Sequence, residues 1–175
     1  MTDLIVLATL LAGPQHGYQL KRQAGLILGQ PELHNNVVYP LLRRFTEQGW
    51  VIKKTVPGER GQERHQYALT SRGRKALIEK LSAFSEAQAR SLEEFLARVG
   101  LFGILDPEAR ERVTAARTAH LQQLAEHLAG IRQTFPLDGY AQATVEFLQK
   151  QTEAELAWIR QLRKISNQTS GRRCP

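Results

Sequence analysis

Cysteine is almost missing from this chain: Cys174 is the only one in 175 residues. A single thiol excludes an internal disulfide and any cysteine-rich zinc site. Cys174 lies in the polar stretch 166–175, and it reads as a free thiol of a disordered tail rather than a redox sensor. Long apolar runs are missing too. The run 4–12 has 9 residues, against roughly 20 for a membrane-spanning helix. Asp3 precedes it and no basic stretch leads into it, so a signal peptide is not expected. A cytoplasmic protein with no membrane partner is the expectation. Catalytic signatures are also missing. No GxSxG, HExxH, P-loop or GxGxxG spacing occurs, so no enzyme and no cofactor are expected.

Acidic residues are scarce in the first part of the chain. Residues 1–75 hold 11 Lys and Arg against 5 Asp and Glu, a balance of +6; residues 76–175 hold 13 against 12, a balance of +1. Nearly all of the overall +7 therefore sits in the first part. Such clustering fits a polyanionic partner, nucleic acid ahead of a membrane surface. The composition of the whole chain, 42% hydrophobic and 23% charged, is that of an ordinary globular protein.

Punctuation residues order the chain. The apolar run near the start is a buried first helix stopped by Gly13 and Pro14. A second helix opens near His16 and Gly17 and ends before Gly29 and Pro31. Asn35 or Asn36 can cap a third. There Val38, Leu41, Leu42 and Phe45 form an apolar stripe at helical spacing, with Pro40 expected in or near the first turn and Gly49 at the end. Two runs follow, 50–56 rich in β-branched residues and 64–69 alternating. The turn-forming stretch 57–63 between them makes a β-hairpin. Thr70 or Ser71 then caps a long helix reaching about Val99. Gly100 and Gly103 mark a break. Asp106 followed by Pro107 starts a helix to about Thr134, and Gly139 or Tyr140 opens the last one.

Three short helices and a two-stranded wing are the elements of a winged helix-turn-helix. The expected fold class is mainly α with a small β-hairpin: an N-terminal winged helix-turn-helix over 1–75 and a helical domain over 76–165. With the stripe turned inward, Asn36, Tyr39, Pro40, Arg43 and Glu47 of the third helix face outward. Asparagine can pair with adenine and arginine with guanine; Tyr and Arg can equally hold phosphate. Asn35 and Arg44 flank that strip, and Lys53, Lys54, Arg60 and Arg64 lie on the wing. Gly58 and Gly61 let the wing backbone approach another surface. Double-stranded DNA is the partner these features imply. The alternative, a winged-helix protein-interaction adaptor, needs no such basic excess.

Five histidines raise a metal reading. His120 and His127 stand seven apart with no acidic partner at suitable spacing, so surface or packing histidines are expected and no metal. In the second half, Leu121, Leu124, Leu128, Ile131 and Phe135 repeat at heptad-like spacing; Val145, Leu148, Leu156, Ile159 and Leu162 share one broad face. These are the expected dimer-interface residues, though in a lone monomer they could pack on each other. Trp158 beside them is either an anchor of a dimer core or part of an effector pocket.

Three stretches resemble the PadR-like transcriptional regulators: LATLLAGPQHGYQL at 7–20, VYPLLRRFTEQGWV at 38–51 and RHQYALTSRGRKAL at 64–77. They follow the family's order and spacing over residues 3–80. The resemblance implies a homodimeric winged-helix repressor, more rarely an activator, released from a pseudo-palindromic operator by a ligand or signal. It implies a C-terminal helical dimerisation domain. By position it assigns DNA contact to Tyr39, Pro40 and Arg43, backbone positioning to Gln15, His16 and Tyr18, and wing contact to Arg60, Gly61 and Arg64. For Tyr18, as for Tyr67, packing within the winged domain stays open beside this. His34, Asn35 and Asn36 depart from the small residues usual just before Val37. Multidrug-binding relatives place aromatic residues, tryptophan among them, on the fourth helix; the matching stretch 92–98 has Phe95 and no tryptophan. A small-molecule effector is implied, its identity unknown.

Overall fold

Burial decides the first helix. Leu4, Ile5, Val6 and Leu7 are all buried in α1 (Thr2–Thr9), which tightens into a 3-10 turn, Leu10–Ala12, and stops where Gly13 turns to a φ of 121°. The computed structural model describes residues 1–57 and 63–170 and divides into two compact units, Met1–Leu81 and Ser82 onward. The first unit continues with β1 (Gln15–His16), α2 (Gly17–Ile27), α3 (Asn35–Glu47), β2 (Val51–Pro57), β3 (Glu63–Leu69) and α4 (Ser71–Ser82).

The sheet has three strands in the order β1-β3-β2, all antiparallel. The hairpin register runs from Val51 opposite Leu69 to Pro57 opposite Glu63. The third strand was not expected. It is only two residues long, Gln15 pairing with Tyr67 and His16 with Gln66, and it ties the start of α2 to the wing.

α3 begins one residue earlier than either asparagine cap allows: His34 is its N-cap and supplies no side-chain bond. Pro40 consequently lies inside the helix, not in its first turn. The stripe behaves as expected, with Val38, Leu42 and Phe45 buried and Leu41 half-buried. The end is a glycine cap. Gly49 takes a φ of 70°, its N–H donates to the Thr46 carbonyl at 3.0 Å, and the Trp50 N–H returns to the Phe45 carbonyl at 2.8 Å.

The long helix expected from residue 70 up to Val99 is not continuous. It is three helices: α4, a short α5 (Glu86–Ala89) and α6 (Leu92–Val99). Serine starts each new one. Ser85 forms a capping box with Gln88, and the Ser91 hydroxyl accepts from the Glu94 N–H at 3.2 Å. α7 (Pro107–Thr134) opens as expected, the Asp106 carboxylate accepting from the Ala109 N–H at 2.6 Å, and α8 runs Gly139–Ser170. The domain break thus falls after Leu81 rather than at 75, and helix continues past 166, where the tail was expected to begin. Cys174 lies outside the described residues.

The core of the second unit joins Phe95, Val113, Leu121 and Ile159, with Leu156, Trp158 and Leu162 packed against it. Trp158 meets the Phe95 ring edge-on at 6.0 Å. Two arginines are buried as well. Arg98 donates to the Glu94 carbonyl at 2.8 Å, to its carboxylate at 2.6 Å and to the Ala83 carbonyl at 3.3 Å, and lies over the Phe84 ring. Arg117 forms a two-pronged pair with Glu155, at 2.6 and 2.8 Å, and donates to the Ala89 carbonyl at 2.6 Å.

One pH effect arises here. Burial, then the charges of Arg117 and Arg90, hold the His120 imidazole below its ordinary value of 6.5, with Glu155 pulling the other way. The unfolded chain therefore takes up the proton first as pH falls. This contribution to stability is complete above the unfolded value and declines as pH drops through it toward the lower folded one. His120→Gln is expected to flatten the pH dependence of urea unfolding of this unit as pH falls below the ordinary histidine value of 6.5; an unchanged slope would remove His120 as its source.

Candidate nucleic-acid interface

α3 is amphipathic, and its outer face gathers the residues expected there. Asn35, Asn36, Tyr39, Pro40, Arg43 and Glu47 are all exposed. Spacing of three and four puts 36, 39, 40, 43 and 47 on one strip. The Arg43 Nε stands 3.9 Å from the Glu47 carboxylate, an exposed pair that holds it only weakly. Arg44 differs. Its guanidinium is 3.8 Å from the Asp3 carboxylate and lies over the Phe45 ring. Asp3 also takes Lys80 at 3.3 Å and the Leu4 N–H at 2.8 Å. Burial works to raise the Asp3 pKa, but Lys80 and these bonds outweigh it and hold the carboxyl below its ordinary value. One carboxylate of α1 thus ties α3 to α4. Sequence reasoning missed it; a lone acid beside an apolar run in a basic segment was the available signal.

β1 and the start of α2 supply the second group. His16 is the α2 N-cap, its N–H donating to the Gln19 side chain at 2.8 Å. The His16 ring stacks on Tyr18 at 5.9 Å, and its Nδ1 lies 3.2 Å from the His65 carbonyl of β3. Tyr18 is 58% exposed, so the packing alternative does not hold for it; Tyr67 is 6% exposed, so for Tyr67 it does. Burial, then Tyr39, pushes the Tyr67 phenol pKa up. Gln15 is a correction. Its side chain is buried and donates to the Thr9 carbonyl at 2.9 Å, because strand alternation turns it inward where His16 turns outward.

A shallow groove of about 560 Å³ lies between these elements, lined by His16, Gly17, Tyr18, Tyr39, Arg64, His65 and Tyr67. Every polar side chain in that set can donate a hydrogen bond and none is acidic. The Tyr39 ring rests on Gly17, where a Cβ would come within 2.9 Å of it. Glycine at 17 thus lets α2 and the outer face of α3 meet. Lys53 and Lys54 are exposed on β2. Arg60 and Gly61 lie outside the described residues. Among the described residues no three His, Cys, Asp or Glu come together as a metal site, and no helix is long and apolar enough to cross a membrane.

Comparison with known families places this arrangement. Residues 6–79 match the model of the Transcriptional regulator PadR-like family. Over that segment the chain is PadR-like. The matched segment runs from within α1 into α4, and so contains β1, α2, α3, β2 and β3. Three solved structures are similar. A PadR family transcriptional regulator from Eggerthella lenta is 31% identical, over 45% of this chain and 66% of that one, with a TM-score of 0.39. A transcriptional regulator from Clostridium thermocellum is 23% identical, over 45% and 76%, with a TM-score of 0.40. Bacillus subtilis PadR in complex with operator DNA is 17% identical, over 94% and 98%, with a TM-score of 0.45. No curated protein matches the chain.

The expected dimer residues have other work within the chain. Leu121, Leu128 and Ile159 are buried in its own core, and Leu124, Ile131, Leu148, Leu156, Trp158 and Leu162 are half-buried. Phe135, Tyr140, Phe147 and Ile165 are the large apolar side chains that α7, α8 and the turn between them leave exposed. Phe135 is the last residue of the heptad-like seam 121–135, whereas Tyr140, Phe147 and Ile165 belong to neither apolar set read from the sequence.

Proposed function

We propose that this chain is a sequence-specific, DNA-binding transcriptional regulator acting as a homodimeric repressor, released from its operator by a small molecule or another signal. The observation that carries the reading is the outer face of α3. Asn36, Tyr39, Pro40 and Arg43 line one exposed strip on a helix whose other side is wholly apolar, beside an acid-free groove. A helix so presented fits the major groove, with Arg43 able to pair with guanine. The basic wing and the α2 start would meet phosphates. Two copies would place their α3 helices in successive major grooves, about 10 bp apart or a multiple of that. The exposed Phe147 and Ile165 of α8, with the half-buried seam residues, offer the apolar surface for the second copy.

A mobility-shift titration tests the reading. Arg43→Ala is expected to weaken binding to the selected site by about 1–3 kcal/mol and to relax preference at one base pair. Affinity of the unaltered protein should fall steeply between about 50 and 200 mM salt. A flat salt response, or no retention on any duplex, would overturn the reading and favour a protein-binding adaptor.

A further inference from the structure

The Tyr67 ring packs inside the winged unit, yet its hydroxyl is left over. The residue is 6% exposed and lines the groove between α2, α3 and β3. Among the described residues no hydrogen bond reaches that hydroxyl. Nor is it shut away from water: the sealed side-chain atoms without a partner, among the described residues, are Gln15 Oε1 and Arg98 Nε. A buried hydroxyl left unpaired is a cost to folding, so one that opens on a groove points to a partner from outside. Tyr39 is in a similar position. Its ring rests on Gly17, it lines the same groove, and no hydrogen bond reaches its hydroxyl among the described residues. Burial, then Tyr39, raises the Tyr67 pKa, so the phenol keeps its proton and remains a donor. α2 begins at Gly17, which puts the positive end of that helix on the same groove.

We propose that this groove seats one phosphate of the DNA backbone, with the Tyr67 and Tyr39 hydroxyls donating to its non-bridging oxygens. The inference rests on the DNA-binding reading above and adds to it the seat and Tyr67, a residue that packing alone does not account for. Shape and chemistry agree on the ligand. A side chain held this deeply cannot extend into a groove of DNA, so its partner must project toward it; base edges are recessed in the duplex, whereas phosphates stand out along its backbone. A phosphodiester accepts hydrogen bonds and donates none, which matches a lining whose polar side chains can all donate and include no acid. Such a contact fixes the register of the protein on the duplex and carries no sequence preference of its own.

The test is a fluorescence-anisotropy titration of Tyr67→Phe beside the unaltered protein, on the selected site and on a random duplex. Both affinities should fall by about tenfold and by the same factor, because a hydrogen bond to a charged group is lost and no base contact is. The salt dependence should keep its slope, since no charge is removed. The melting temperature by circular dichroism should be retained or rise, the hydroxyl having no partner inside the protein. A scan of duplexes, each with one phosphate replaced by a neutral methylphosphonate, locates the seat. At one position per half-site the replacement should weaken the unaltered protein about tenfold and Tyr67→Phe hardly at all. Inorganic phosphate at matched ionic strength should displace the duplex no better than chloride. Unchanged affinity in Tyr67→Phe, an altered base preference, a lower melting temperature, additive losses at every methylphosphonate, or selective displacement by inorganic phosphate overturns the assignment and leaves the DNA-binding reading standing. An unaltered protein that binds no duplex overturns both.

Discussion

Glu155→Ala is expected to destabilise the helical unit by about 3–5 kcal/mol, the cost of leaving a buried charge without its partner. Arg117 and Glu155 are 5% and 10% exposed at their side chains, so water cannot take the place of the lost carboxylate. The pair joins α7 to α8, with the third arm of Arg117 on the Ala89 carbonyl of α5. The arginine also lies 5.9 Å from the Phe95 ring centre, at the core that Trp158 completes. Removing the partner from one charge differs from removing both charges. The double change Arg117→Met with Glu155→Leu should recover most of the loss, because desolvation of the ions disappears with them. It should not recover all of it, since the Ala89 carbonyl loses its donor, worth about 1–3 kcal/mol when buried. Urea unfolding followed by Trp158 fluorescence, in a Trp50→Phe background, isolates this unit. A Glu155→Ala loss below about 1 kcal/mol would place the pair in the class of solvated ion pairs.

These two residues also mark where sequence reading stops. Val113, Arg117 and Leu121 are spaced four apart, so Arg117 lies on the helix face that enters the core. A charged residue within an apolar stripe carries no local sign of its partner, and only the position of Glu155 on another helix shows why it is buried. The same holds for Ser85 and Ser91. A serine is tolerated on a helix surface and favoured at a cap, and tertiary packing chooses between them. What local chemistry fixes was legible: the Asp106 cap with Pro107 after it, the stop at Gly13, the glycine cap at Gly49 and the two faces of α3. Strand β1 was not, because two residues carry no period; Gln15 and His16 become a strand only where Tyr67 and Gln66 stand opposite them. That omission misplaced one site residue. Once the segment is a strand, adjacent side chains point to opposite faces, and Gln15 turns inward as His16 turns out.

Gly73→Ala is expected to lower the stability of the winged unit by about 2–4 kcal/mol, combining overpacking against main chain with a weakened hydrogen bond. A Cβ at 73 would collide with the Trp50 carbonyl oxygen and lie 2.8 Å from its carbon and 2.9 Å from the Leu69 side chain. That carbonyl has no freedom to retreat. It accepts the Thr70 N–H at 2.9 Å, while the Thr70 hydroxyl lies 2.8 Å from the Gly49 carbonyl and accepts the Gly73 N–H at 2.9 Å. The end of α3, the first residue before β2, the last residue of β3 and the first turn of α4 therefore meet at one point. Moving α4 to admit a methyl group would shift the wing against α3, so under the proposed DNA-binding function affinity should fall together with stability. Gly130→Ala makes the opposite prediction from the same substitution. Gly130 lies within α7, and a Cβ there meets nothing within 4 Å. Alanine should stabilise the helical unit by about 0.5–1 kcal/mol through the lower backbone entropy of the unfolded chain. Equal effects of the two substitutions would show that the crowding at Trp50 does not limit the winged unit.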